Sequence, residues 1–282
     1  MGHAFRIVNV FTVDGDRLSG NPLVVFEDAR GLTDAQMQAL ARQMNLSETT
    51  FVLPATLAGA DARVRIFTPG FEMPFAGHPT LGTAAVVAGK DRHGVALEMI
   101  AGLVPVTGDG ASWTLRTARP PVTRAVEATD AELAAMVGLP ADAIAGRPLW
   151  VDTGVEQLVI PIATPELVRA ARPDRALLER HGMCPGRGEA MAYLWAPGEP
   201  EWTVRFLFTL DGNVVEDPAT GSACANLGGW MVATGQPLPV TASLRQGVAV
   251  KRPSRLGLRV DADGSIHVTG AVIELGAGVI EL

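Results

Sequence analysis

The sequence predicts an α+β protein of two related halves, each a sheet wrapped around one central helix. Segments of strand period dominate both halves, each half holds one apolar helical segment, and two short stretches copy each other: HPTLGTA at His78–Ala84 and DPATGSA at Asp217–Ala223. The copies lie 139 positions apart (217 minus 78) in a chain of 282 residues, close to half its length. That spacing is the mark of an internal repeat.

In the first half, FRIVNVFT from Phe5, PLVVF from Pro22, ETTFVL from Glu48 and ARVRIFT from Ala62 read as strands by alternation and β-branched content. A helix is expected over Thr33–Met44, where Thr33 and Gln36 form a capping box and Met37, Leu40, Ala41 and Met44 make an apolar stripe. The central helix should run from Pro79 to Ala88, followed by short strands over Val95–Ile100, Val104–Thr107 and Ser112–Thr117. The ARPP run at Ala118–Pro121 marks a domain boundary.

The second half repeats the alternation. Thr129 and Glu132 open another capping box, and strands are expected over Gln157–Ile160, Ala190–Trp195 and Trp202–Phe208. The segment Ala219–Val232 is the counterpart of the first central helix, and strands over Val240–Leu244 and from Leu256 through Ile273 follow. A last strand near Val279–Leu282 is expected to return to the first domain, giving domains of 1–118 with 274–282, and 119–273.

In each copy of the repeat the proline fits the first helical position, so His78 and Asp217 fall at equivalent N-caps. If the halves face each other, two helix N-termini converge on one cleft that suits a carboxylate ligand. Glu48 is the third ionisable residue of interest, because glutamate is disfavoured in strands. It would point to the same side as Thr50 and Val52. A partly apolar cleft would raise its pKa toward neutrality, where a carboxyl group both gives and takes a proton. Taken locally, His78 is hard to dismiss as a cap, since histidine is not a favoured N-cap residue, but the others each have a plain structural role. Asp217 before a proline is a common cap, Glu48 a solvated strand end, Ser222 and Thr83 first-turn hydroxyls, and Cys224 a small buried apolar group. Gly77, Gly82 and Gly221 serve turn geometry or close helix packing equally well.

Composition narrows the classes. With 48% hydrophobic and 19% charged residues the chain can bury a large core, and a formal charge of −7 without a basic run argues against nucleic acid. No apolar run approaches the roughly 20 residues of a membrane span, and the N-terminus carries no secretory pattern, so a cytoplasmic protein is expected. Two cysteines, Cys184 and Cys224, are too few for a disulfide framework, and the five histidines show no metal-ligand spacing. No phosphate-binding glycine motif occurs.

The stretches SGNPLVVF, MNLSETTFVL, FEMPFAGHPTLGTA, EDPATGSA and QGVAVKRPS together resemble the PhzF-like phenazine-biosynthesis family, relatives in fold of diaminopimelate epimerase. The resemblance covers nearly the whole chain. It implies two pseudo-symmetric epimerase-like domains, each a curled, mostly antiparallel sheet around a central helix, with an interdomain active site, a homodimeric assembly and no cofactor. Position by position it implies Glu48 as the catalytic acid/base, with His78 and Asp217 as proton-relay and substrate-orienting groups. Ser222 is then a substrate-contacting hydroxyl, and Gly77 and Gly221 are places where backbone approaches the ligand carboxylate. Two departures bear on the substrate: Val250 and Lys251 stand where the family usually has Met-Gly, and FLFTLDGNVV precedes EDPATGSA.

The expected function is a cofactor-independent isomerase that moves a proton on a small carboxylated substrate, in the family's founding case a cyclic diene acid. Two alternatives remain. A two-thiol amino-acid epimerase or racemase is disfavoured because the repeat sets Cys224 against Ala85 and leaves Cys184 without a counterpart near His78. A non-enzymatic small-acid binder would need only the helix-end amides.

Overall fold

A computed structural model describes residues 2–186 and 188–282, which divide into two compact units. The first runs up to Arg116 and adds Thr269–Leu282; the second is Thr117–Val268. In chain order the first unit holds β1 (Gly2–Val10), β2 (Asn21–Phe26), α1 (Asp34–Met44), β3 (Thr49–Leu53), β4 (Ala62–Phe67), β5 (Glu72–Met73), α2 (Gly77–Ala88), β6 (Gly94–Met99), β7 (Gly102–Asp109) and β8 (Ser112–Arg116). The second holds β9 (Val122–Ala125), α3 (Asp130–Met136), β10 (Leu149–Asp152), β11 (Glu156–Pro161), α4 (Pro165–Ala170), α5 (Arg175–His181), β12 (Met183–Cys184), β13 (Glu189–Ala196), β14 (Trp202–Leu210), β15 (Asn213–Asp217), α6 (Gly221–Ala233), β16 (Val240–Gln246) and β17 (Ser254–Val260). The long β18 (Ile266–Glu281) starts in the second unit and ends in the first.

The two units share one pairing pattern. In the first, β1 and β2 are antiparallel, β2 and β3 parallel, β3 and β4 antiparallel, β4 and β6 parallel, and β6 and β7 antiparallel. The second repeats this with β10, β11, β13, β14, β16 and β17 in the same places. A short antiparallel strand, β5 on β4 and β15 on β14, precedes each central helix. In the first unit β8 pairs with β18 and β18 with β1, so the sheet closes around α2.

Composition explains why α2 sits inside. Its sequence GHPTLGTAAVVA has no charged face, and a helix without a polar side is a buried one. Gly82 lets it approach the sheet, since an added Cβ would stand 2.6 Å from Leu23 Cδ2 and 2.9 Å from Val10 Cγ2. On the opposite face of the sheet, α1 covers Phe26, Phe51 and Phe67 with Met37 and Leu40. The rings of Phe26 and Phe51 stack at 4.9 Å, and Phe67 meets Phe51 edge-on at 5.4 Å. Both expected capping boxes form, with Thr33 and Gln36 on α1 and Thr129 and Glu132 on α3 each bonding the other's backbone.

The structure corrects the register of the repeat. Helix α2 starts at Gly77 and α6 at Gly221, which are 144 positions apart (221 minus 77), not 139. His78 is therefore the second residue of α2 and matches Ser222, the second residue of α6. Asp217 ends β15, four residues before its helix, where Met73 ends β5. Neither His78 nor Asp217 is an N-cap; those places belong to Ala76 and Thr220. Pro79 is tolerated inside the first turn because no N–H there has an intrahelical partner, whereas Pro218 lies outside α6 altogether. Cys224 accordingly matches Thr80 rather than Ala85. The same register sets Glu72 against Glu216, and each pairs with an arginine of the strand before it, Arg65 and Arg205, joining the β-hairpin just before the central helix.

Strands β5, β9, β10, β12 and β15 and helices α4 and α5 were not expected from the sequence pattern. All are of seven residues or fewer, too short for periodicity to separate them from loop. Helix α4 does carry local start signals, Thr164 as its cap and Pro165 as its first residue. The FLFTLDGNVV segment proves to be the β14–β15 hairpin, turned by Asp211 and Gly212 with φ of 48° and 73°. Both positive values fit the tight turn that Asp-Gly favours.

Candidate active site

Glu48 stands immediately before β3 and His78 in the first turn of α2, both in the first unit. His78 Nδ1 lies 3.4 Å from Glu48 Oε2, with 5% and 15% of the two side chains exposed. Strand alternation brings this about. Glu48 and Thr50 face α2, where Thr50 Oγ1 meets Thr83 Oγ1 at 2.8 Å, while Phe51 faces the aromatic cluster under α1. The separation suits a histidine that orients a carboxyl group and tightens on it when substrate binds. Gly77, buried beside His78, is the first residue of α2, whose N-cap Ala76 supplies no side-chain acceptor. The first-turn amides of α2 thus keep their donors and the positive end of the dipole.

In the second unit, Asp217, Gly221 and Ser222 gather around the start of α6. Thr220 Oγ1 donates to Asp217 Oδ2 at 2.6 Å instead of capping the helix. Its hydroxyl is set by Gln246, a residue sequence reasoning missed. Gln246 Oε1 accepts from the Thr220 amide at 3.2 Å, while Nε2 donates to the Asp217 carbonyl and to Thr220 Oγ1, both at 2.9 Å. A backbone N–H can only donate and a carbonyl can only accept, so these contacts fix the amide's orientation. The Thr220 proton is then directed onto Asp217. The signal lay in the QG of QGVAVKRPS. Gly247 follows with φ of 74°, and a Cβ there would stand 2.5 Å from the Pro218 carbonyl oxygen, so the turn seats Gln246 under the Asp217 loop. Lys251 is exposed in the same turn, at a φ of 59° that glycine adopts more easily.

Cys224 is fully buried inside α6, and burial pushes its thiol up from the ordinary value. Cys184 is buried on β12, donating to Glu156 Oε2 at 3.4 Å. Among the described residues no three His, Cys, Asp or Glu side chains gather as a metal site, and no helix is long and apolar enough to cross a membrane.

The profile of the PhzC-PhzF family, described as phenazine biosynthesis-like protein, matches residues 8–278. The chain belongs to this family. An isomerase of Pasteurella multocida, named as uncharacterized, is 37% identical over 98% of this chain and 93% of its own length. The trans-2,3-dihydro-3-hydroxyanthranilate isomerase of Pseudomonas aeruginosa is 36% identical over 95% of each. Among solved structures, a PhzF-family protein of Bacillus anthracis superposes with a TM-score of 0.84 at 21% identity, each chain covered fully. A predicted epimerase of Pseudomonas aeruginosa gives 0.80 at 30% identity, with 99% of each chain covered. The fold is thus the epimerase-like α+β fold of the phenazine biosynthesis-like family, shared more distantly with a hydroxyproline epimerase of Agrobacterium vitis, with a TM-score of 0.66 at 16% identity over 100% of this chain and 93% of that one. The protein is an isomerase of this family.

Proposed function

We propose that the protein isomerises a small cyclic carboxylic acid by moving one proton along its ring, without a cofactor. Glu48 takes a proton from one carbon and returns it to another. His78 orients the Glu48 carboxyl group and answers its changes of charge. The amides at Gly77 and Gly221 receive the substrate's carboxylate, Ser222 contacts the substrate, and Asp217 orients it. The observation that carries this reading is the 3.4 Å approach of His78 Nδ1 to Glu48 Oε2 in a region largely withdrawn from solvent. A carboxyl group there serves as acid and base in turn. Two isomerases of trans-2,3-dihydro-3-hydroxyanthranilate, from Pseudomonas fluorescens and Pseudomonas aeruginosa, are 34% and 36% identical and support the substrate class.

The test is proton NMR in heavy water with trans-2,3-dihydro-3-hydroxyanthranilate and a panel of cyclic and linear acids. A ring C–H should exchange for deuterium as the isomer forms, and Glu48→Gln should stop it. Exchange confined to the α-carbon of an amino acid, with inversion, would replace this reading with an epimerase.

A further inference from the structure

Ser222 belongs to a second hydrogen-bonded chain, built on the same logic as the one that ends at Asp217. It begins at Asn226, fully buried in α6. Asn226 Oδ1 accepts from the Thr153 amide at 2.9 Å and from Thr153 Oγ1 at 2.7 Å, and Nδ2 donates to the Val155 carbonyl at 2.8 Å. The amide and the carbonyl permit one orientation of the Asn226 side chain only. Its Nδ2 also donates to Gln157 at 2.8 Å, so the atom there is the oxygen, Oε1. Gln157, 2% exposed on β11, must therefore turn its nitrogen to Ser222, and Nε2 lies 3.0 Å from Ser222 Oγ.

The consequence is chemical. A hydroxyl can donate or accept, and by itself Ser222 is uncommitted. Gln157 Nε2 fills one of its two lone pairs and offers its proton no acceptor, and among the described residues Gln157 is the only hydrogen-bond partner of Ser222 Oγ. The serine proton is left for whatever lies beyond. Ser222 is half-buried at the second position of α6, the place that His78 holds on α2.

We propose that Gln157 is a positioning residue that turns the Ser222 proton away from itself, so that the hydroxyl donates to a hydrogen-bond acceptor of the substrate, a carboxylate or carbonyl oxygen. The inference rests on the substrate-contacting role proposed above for Ser222, and adds the polarity of that contact and the residue that sets it. It selects among substrates, since an acid that presents only a donor at this point would leave the serine proton unanswered. Neither Gln157 nor Asn226 touches substrate in this scheme. They act through Ser222, in the way Gln246 acts through Thr220 on Asp217.

Two measurements decide it. Neutron diffraction from a deuterium-exchanged crystal of the wild-type protein should show two deuterons on the Gln157 nitrogen, one aimed at Ser222 Oγ, and the serine deuteron turned away from Gln157. A serine deuteron resting on the Gln157 side chain overturns the proposal, whatever the substrate proves to be. Steady-state kinetics on trans-2,3-dihydro-3-hydroxyanthranilate form the second arm. Gln157→Glu keeps an acceptor for Asn226 but draws the serine proton inward, and should raise KM about 10- to 100-fold with little change in kcat. The same replacement made in Ser222→Ala should raise KM much less. An equal rise in both backgrounds assigns the effect to the new charge and overturns the positioning role. A wild-type protein inert toward this acid counts against the isomerase substrate named above, and the neutron map still decides the present inference.

Discussion

Thr50 Oγ1 and Thr83 Oγ1 meet at 2.8 Å in a fully buried setting, joining the strand that follows Glu48 to the helix that carries His78. Valine has the shape of threonine without the hydroxyl, so Thr50→Val or Thr83→Val leaves the other hydroxyl buried and unanswered. Each single variant should lower stability by about 1–3 kcal/mol. The double variant should lose clearly less than the sum of the two, because the orphaned group is gone. Urea unfolding of the four proteins measures this, and strict additivity would show that the two hydroxyls do not depend on each other.

Glu48 touches His78 at the edge of the first unit's core but is not part of its hydrophobic packing. Glu48→Gln keeps the shape and removes the titrating oxygen, so turnover should fall by about 10²- to 10⁴-fold. Unfolding midpoints should barely move. Retained turnover would take the acid/base role away from this residue.

Glu98, on β6, accepts from Thr56 Oγ1 at 2.5 Å and from the amides of Thr56 and Leu57 at 2.6 and 2.8 Å. These bonds, the Thr56 hydroxyl foremost, hold its carboxyl below the ordinary glutamate value. A folded-state pKa lower than the unfolded one, about 4.3, contributes stability that is present above that value and lost as pH falls through the folded pKa. Between pH 7 and pH 3, wild-type stability should therefore decline more steeply than that of Glu98→Gln. Parallel declines in urea titrations would remove Glu98 from the acid response.

Cys224 is walled in by α6 and its sheet, and burial disfavours its thiolate. Iodoacetamide at pH 8 should leave it unmodified in the native protein and label it on unfolding, as mass spectrometry of peptides will show. Rapid native labelling would mean that α6 opens far more readily than its packing implies. It would also reopen the thiol-based epimerase reading.

The periodic features were legible in the sequence because nearest-neighbour chemistry carries them. Strand alternation in FRIVNVFT and PLVVF and both capping boxes depend on residues a few positions apart, and they appear in the structure nearly where the pattern puts them. The pairing of Glu48 with His78 was half legible. Strand period gave the side on which Glu48 emerges, and the closure of the sheet around α2 brought His78 to that side.

The seven-residue repeat misled by five positions, and the cause is specific. HPTLGTA and DPATGSA match in composition, yet the first lies wholly within a helix and the second straddles a strand end, a loop and a helix start. Gln246, 26 residues downstream, holds the Thr220 amide and the Asp217 carbonyl on either side of Pro218, which lies outside the helix.

By itself the sequence determined that two similar α+β halves exist, that each hides a small-residue helix, and which ionisable residues stand near the helix starts. Those outcomes follow from periodicity, side-chain size and capping, all short-range properties of a chain. Only the tertiary structure decided the true register of the repeat and the direction in which protons point around Asp217 and Ser222. An amide or hydroxyl is symmetric in its choices until a fixed backbone donor and acceptor, brought from far along the chain, leave it a single orientation.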